Sequence, residues 1–136
     1  MLKNANPNAI ILAEHYGDPS SWLQGDQWDT VMNYDAFMEP VTWFLTGMQK
    51  HSDDYRPDLL GNGESFWSAM GYHTACFATP SLQVAMNELS NHDHSRFLTR
   101  TNKKVGRMNT LGPGAANEGV DKAVMREAVF NTDDLG

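Results

Sequence analysis

Two apolar runs in this chain each lead directly into acidic side chains. The first run, at 10–13, is followed by Glu14, and the second, at 84–89, leads into His92 and Asp93. In parallel sheets and barrels, strands deliver catalytic groups to the rim at their C-terminal ends. Two strands that each deliver a carboxylate favour a mechanism with paired acids, such as glycoside hydrolysis.

The hydrophobic pattern predicts strands that alternate with helices. The run at 9–13 shows no polar alternation, which is typical of a strand buried on both faces. Further strands are predicted at 30–34 and 84–89, and a long polar loop at 48–63. Helices are predicted in four places: a short one after Pro19, one from Asp35 to Gly47, one from Glu64 that Pro80 ends, and one from about Asn117. This order predicts an α/β fold with parallel strands.

Several side chains that could do chemistry are assigned to packing instead. Trp43 and Trp67 lie beside helical apolar stripes, which predicts core positions for both. His73 lies on the apolar face of its helix. Cys76 is the one cysteine and stands among alanine and phenylalanine, which is typical of a small buried residue and leaves no internal disulfide.

The charge balance bears on which partners the chain could bind. The sequence holds 10 Lys and Arg against 17 Asp and Glu, a formal charge of −7 over 136 residues. Nucleic acids and anionic membranes require clustered cations, so neither is expected as a partner. The polar start of the chain and the absence of a long apolar run predict a cytoplasmic location.

Two motifs carry a resemblance to a known enzyme family. The first runs from Ala13-Glu14-His15-Tyr16 through Trp22-Leu23-Gln24-Gly25-Asp26-Gln27-Trp28-Asp29 to Val31-Met32-Asn33-Tyr34, and the second is Ser90-Asn91-His92-Asp93 with Arg96-Phe97-Leu98-Thr99. They resemble the α-amylase superfamily, glycoside hydrolase family 13, and are most similar to its neopullulanase and cyclomaltodextrinase branch. In that family the first motif spans the fifth and sixth strands of a barrel, and His-Asp marks the seventh strand.

The resemblance implies a partial TIM (β/α)8 barrel, comprising about strands five to seven with their helices. Residues 1–136 are expected to be a single segment of a catalytic barrel, truncated at both ends, whose partner is the rest of the parent catalytic domain. The family's nucleophile is an aspartate in a Gly-x-Arg-x-x-x-Asp context on the fourth strand, and this sequence has no such motif. The isolated segment is therefore expected to be inactive.

The resemblance also assigns roles to four residues. Glu14 is the general acid and base of a retaining α-glucan hydrolase acting on maltodextrin, pullulan or cyclodextrin-like substrates. Asp93 binds sugar hydroxyls and stabilises the positive charge that develops at the reacting ring, and His92 donates a hydrogen bond to that ring. Tyr16 stands where the family has Trp, so it is expected to stack on a sugar. No cofactor or metal is implied.

Two other classes of function fit parts of the sequence. One is a non-catalytic module with a degenerate barrel that binds carbohydrate or another protein. The other is a metal-dependent hydrolase that uses His92, Asp93 and His94, because alternate residues of a strand face the same way. Two imidazoles alone do not complete a metal site, so the sugar-binding role is preferred.

Overall fold

The computed structural model describes residues 2–50, 52–106 and 113–135. Its helices are α1 (Leu2–Ala5), α2 (Glu39–Thr46), α3 (Gly63–Thr74), α4 (Thr79–Gln83), α5 (Phe97–Arg100) and α6 (Lys122–Leu135). Its strands are β1 (Leu12–Ala13) and β2 (Thr30–Val31), and single turns of 3₁₀ helix occupy Ser20–Trp22 and Pro113–Ala116. The predicted mixture of helices and strands is confirmed. None of the described helices is long and apolar enough to cross a membrane.

Three extended segments run parallel, in the order in which the sequence predicts them. Leu12 pairs with Thr30 and Ala13 with Val31. Met86 forms a parallel bridge to Met32, the residue after β2. The segment of β2 therefore lies in the middle, and the chain after each of the three segments leaves from the same end of the array.

The third predicted strand, at 84–89, is wrong in extent, because only Met86 pairs. Pro80 lies in the first turn of α4, and it does not end the preceding helix as predicted. Helical backbone then continues to the C-cap at Val84, where φ is −112° and ψ is 11°. Val84, the first residue of the predicted strand, is thus the C-cap of α4, and the segment between it and the turn at Asn91 pairs only through Met86.

The helix predicted from Asp35 is present but begins as a π-helix over Tyr34–Met38 and continues as α2. Gly47 ends it as predicted, with φ of 74°, a left-handed conformation that glycine adopts without strain. The helix predicted from Glu64 is α3, and Asn62 caps it by accepting a hydrogen bond from the Ser65 amide at 3.0 Å. The last predicted helix begins later than expected, at Lys122.

The core lies around the π-helix and α2, against which α3, α5 and α6 pack. Its most deeply buried apolar side chains are Tyr34, Ala36, Phe37, Met38, Val41, Met48, Phe97 and Ala128. Trp43 is buried as predicted. The prediction for Trp67 is wrong, since 64% of it is exposed. Its neighbour Phe66 makes the contact with α2 instead, with ring centroids 4.7 Å from Phe44 and 6.3 Å from Trp43.

Candidate active site at the ends of the parallel strands

Glu14 lies directly after β1, at the end of the array where the extended segments finish. Its side chain is exposed. The Tyr34 hydroxyl donates a hydrogen bond to its Oε1 atom at 2.9 Å. One oxygen of the carboxyl group is thus held by a hydrogen bond from the protein.

Tyr34, which holds Glu14, comes from the segment that follows β2. Its side chain is 1% exposed, and burial, followed by the hydrogen bond to Glu14, raises the pKa of its phenol well above the ordinary value. Tyr34 therefore keeps its proton and acts as a fixed donor toward Glu14. The Asn91 amide nitrogen in turn donates to the Tyr34 oxygen at 2.7 Å.

Asn91 organises the turn after the third extended segment. Its amide nitrogen also donates to Glu88 Oε1 at 3.1 Å. Its amide oxygen accepts from the backbone N–H of Asp93 at 3.0 Å and lies 2.6 Å from His94 Nδ1. Asn91 thus connects the turn that carries Asp93 to the Tyr34–Glu14 pair.

His92 and Asp93 project from this turn toward Glu14. His92 Nε2 lies 3.4 Å from Asp93 Oδ1, and both side chains are exposed. One imidazole nitrogen and one oxygen from each of Glu14 and Asp93 all lie within 4.8 Å of one another. The convergence expected for residues that end parallel strands is therefore present for three of the four predicted site residues. His94 does not join them: it is buried at 6% exposure and faces Asn91.

Tyr16, the fourth predicted site residue, lies beside this group with both faces of its ring in contact. The ring stacks on Tyr34, with centroids 4.6 Å apart and an interplanar angle of 23°. The ammonium of Lys50 lies 4.3 Å from the Tyr16 centroid, a cation–π contact. Because Tyr34 is buried and Lys50 is only partly so, a sugar that stacked on Tyr16 would have to displace Lys50.

Beneath the site, the carboxyl group of Glu39 is half-buried and the guanidinium of Arg100 is fully buried. Burial raises the pKa of Glu39 to about 7, although the charges of Arg100 and Lys50 oppose this shift. Burial likewise lowers the pKa of Arg100 to about 10, against the effect of Glu39. Arg100 donates to Thr42 Oγ1 at 3.1 Å and to the Ser95 carbonyl at 2.9 Å. These contacts connect α2 to the segment that follows Asp93.

Sequence reasoning missed three residues of the site: Tyr34, Asn91 and Lys50. Tyr34 and Asn91 stand inside the two motifs, so a signal for them was present, but the motifs do not show which side chain each one holds. Lys50 lies in a polar segment after α2 and carries no local signal. It reaches Tyr16 because Met48 pairs with Tyr55 in an antiparallel bridge that turns this segment.

The sequence of this chain is similar to those of known cyclomaltodextrinases and neopullulanases. The chain is 32% identical over 100 residues to a cyclomaltodextrinase from Bacillus sp, and 34% identical over 99 residues to neopullulanase 2 from Thermoactinomyces vulgaris. These matches cover 74% and 73% of this chain, but 16% and 15% of the relatives, so the chain spans about a sixth of their length. No protein-family model matches the chain.

A solved structure agrees with these sequence relatives. The debranching enzyme of Nostoc punctiforme, in its native form, superimposes with a TM-score of 0.63 at 30% identity. The match covers 76% of this chain and 22% of that enzyme. The chain is therefore a relative of the cyclomaltodextrinases and neopullulanases of glycoside hydrolase family 13 and corresponds to a part of them.

Proposed function

We propose that this chain forms about strands five to seven of the catalytic (β/α)8 barrel of a retaining α-glucan hydrolase, with Glu14 as its general acid and base. The relatives by sequence, a cyclomaltodextrinase and a neopullulanase, support an α-glucan substrate of the maltodextrin, pullulan or cyclodextrin kind. The observation that carries the proposal is the convergence of Glu14, His92 and Asp93 within 4.8 Å at one end of the parallel segments.

The hydrogen bonds of Glu14 suit an acid and base. Tyr34 donates to Oε1 of this exposed side chain, so we assign the proton to be transferred to Oε2. In the first step Glu14 protonates the leaving glycosidic oxygen, and in the second it removes a proton from water. The proposed nucleophile is an aspartate of the parent enzyme outside these 136 residues, so the chain alone should release no reducing sugar from maltodextrin.

The remaining site residues hold the sugar. Asp93 accepts hydrogen bonds from hydroxyls of the reacting ring, and its negative charge stabilises the oxocarbenium-like transition state. His92, 3.4 Å from Asp93, donates to the same ring. Tyr16 provides a stacking surface once Lys50 has moved away. All four side chains are exposed, as access by a polysaccharide chain requires.

A chimera tests the proposal. In it, the segment of the Bacillus cyclomaltodextrinase that matches this chain is replaced by the present sequence, and maltodextrin hydrolysis is measured as released reducing sugar. Glu14→Gln should lower kcat by about 10²–10⁴-fold, because an amide cannot donate the required proton. Asp26→Asn, which changes an exposed carboxylate outside the site, is the matched control and should leave kcat unchanged.

The outcomes separate the proposal from its alternative. Near-normal turnover by the Glu14→Gln chimera would refute the acid and base role. A non-catalytic carbohydrate-binding module predicts a different pattern: the chain binds maltodextrin, and the unaltered chimera hydrolyses none of it although it is folded.

A further inference from the structure

Glu14, His92 and Asp93 have the composition and spacing of a transition-metal site. Together they present one imidazole nitrogen and two carboxylate oxygens, all within 4.8 Å of one another. The His92 Nε2 to Asp93 Oδ1 distance is 3.4 Å. Zinc bonds of about 2.0–2.2 Å in a tetrahedron place neighbouring ligand atoms about 3.4 Å apart, so this pair already has the required separation. The Glu14 oxygen, which lies within 4.8 Å of the other two ligand atoms, needs to move closer to them by little more than about 1 Å to reach the same separation.

The surroundings of the three side chains allow that approach. All three are exposed, so their heads can turn without disturbing packed atoms. The Tyr34 hydroxyl already restrains one oxygen of Glu14, and the backbone N–H of Asp93 is fixed by Asn91. Hydrogen bonds to neighbouring groups of this kind orient metal ligands and raise affinity.

The donor set favours zinc over the alkaline-earth ions. Imidazole nitrogen suits zinc and similar transition metals, whereas Ca²⁺ takes six to eight oxygen ligands and Mg²⁺ prefers oxygen in a rigid octahedron. The site offers two carboxylates and one imidazole. Three protein ligands also leave the fourth tetrahedral position of zinc open to water.

We propose that Glu14, His92 and Asp93 bind Zn²⁺, and that the bound ion blocks the site against sugar. The second half rests on the proposed function. A zinc ion held by these atoms withdraws from Glu14 the oxygen that must carry the proton, and from Asp93 the oxygen that must accept sugar hydroxyls. Glucan and zinc therefore compete for the same side chains.

Zinc binding is tested on the 136-residue chain itself, by titrating ZnCl₂ in competition with a chromogenic chelator. A Kd below about 100 μM is expected, and His92→Gln should weaken binding by at least about 10-fold. Glu14→Gln should weaken it as well. His73→Gln, which removes an imidazole on α3 away from the site, is the matched control and should leave the Kd unchanged. CaCl₂ should show no binding in the same range.

Two results would overturn the binding proposal. One is that the chain binds no zinc at a metal concentration of roughly 1 mM, which would detect even a weak complex. The other is a Kd that neither His92→Gln nor Glu14→Gln changes.

Blocking is tested in the chimera. Half-inhibition should occur at the zinc concentration that half-saturates the chain, and a chelator should reverse it. Full activity at about ten times that concentration would refute blocking. A chain that binds zinc while the Glu14→Gln chimera stays active would instead refute the proposed function, and with it the blocking, but would leave the zinc site in place.

Discussion

Glu39 offers a direct test of the electrostatics beneath the site. Its carboxyl group lies at the junction of the π-helix and α2, and burial raises its pKa from 4.5 to about 7. Between these two values the folded chain retains a proton that the unfolded chain releases. The free energy of unfolding therefore contains a stabilising contribution that is fully present below pH 4.5 and lost as the pH rises through 7.

The magnitude follows from the size of the shift. A difference of about 2.5 pKa units at about 1.36 kcal/mol per unit gives about 3 kcal/mol over the whole window. Roughly 1 kcal/mol of this is lost between pH 6 and pH 8. The charges of Arg100, Lys50 and Asp35, which face Glu39, are already included in the shifted pKa.

Glu39→Gln removes the titrating group while keeping an oxygen that can accept the hydrogen bond from the Lys50 backbone. The free energy of unfolding is measured by urea denaturation, followed by circular dichroism, at pH 6 and pH 8. From pH 6 to pH 8, wild type should lose roughly 1 kcal/mol more than the variant. The change with pH is compared because the effects of the substitution on packing and hydrogen bonding are common to both pH values, whereas Glu39 is mostly protonated at pH 6 and charged beside Arg100 at pH 8.

Glu127→Gln, which replaces an exposed carboxylate on α6, is the matched control. Its free energy of unfolding should change between pH 6 and pH 8 as that of wild type does. All other titratable groups are common to wild type and Glu39→Gln, so their contributions cancel in the comparison. If Glu39→Gln and wild type show the same pH dependence, the buried carboxyl does not hold its proton and the reasoning fails.

Two further predictions concern the aromatic residues of the site. Tyr34→Phe should lower the free energy of unfolding by about 1–2 kcal/mol, because it removes a buried hydroxyl that donates to Glu14 and accepts from Asn91. In the chimera, the same substitution should lower kcat more than it changes KM. A kcat equal to that of the unaltered chimera would show that Glu14 needs no donor. Lys50→Met should tighten maltodextrin binding by about 2–5-fold, because the cation–π contact of Lys50 with Tyr16, worth about 0.5–1 kcal/mol, no longer has to be broken. Binding is measured by calorimetry. Weaker binding by the variant would show instead that Lys50 holds the sugar.

Much of the candidate site is predictable because it depends on local signals. Glu14 and Asp93 follow apolar runs, and strands that run parallel bring their C-terminal ends together whatever lies between them. The end of α2 at Gly47 was also predictable, because it follows from the left-handed backbone conformation that glycine adopts without strain, a property of a few neighbouring residues.

The features that could not be predicted depend on contacts between distant segments. Lys50 reaches Tyr16 across 34 positions, and the Asn91 bond to Tyr34 spans 57. The exposure of Trp67 depends on which residue of α3 meets α2, and its apolar stripe alone does not distinguish it from Phe66. The third extended segment begins later than predicted because α4, which has Pro80 in its first turn, takes Val84 as its C-cap, and proline is as favourable at the start of a helix as it is unfavourable inside one.

The hydrogen bonds from Asn91 through Tyr34 to Glu14 have a direction, which makes them sensitive to chemical ageing. The amide of Asn91 donates, and the phenol accepts from it before donating its own proton onward. Asparagine is among the thermolabile residues, and its deamidation produces a carboxylate that can only accept. Tyr34 would then have one proton and two acceptors, and Glu14 would share its donor with residue 91. Loss of a single amide nitrogen during storage would thus leave the fold in place while releasing Glu14, so a preparation of this protein could lose its site long before it lost its structure.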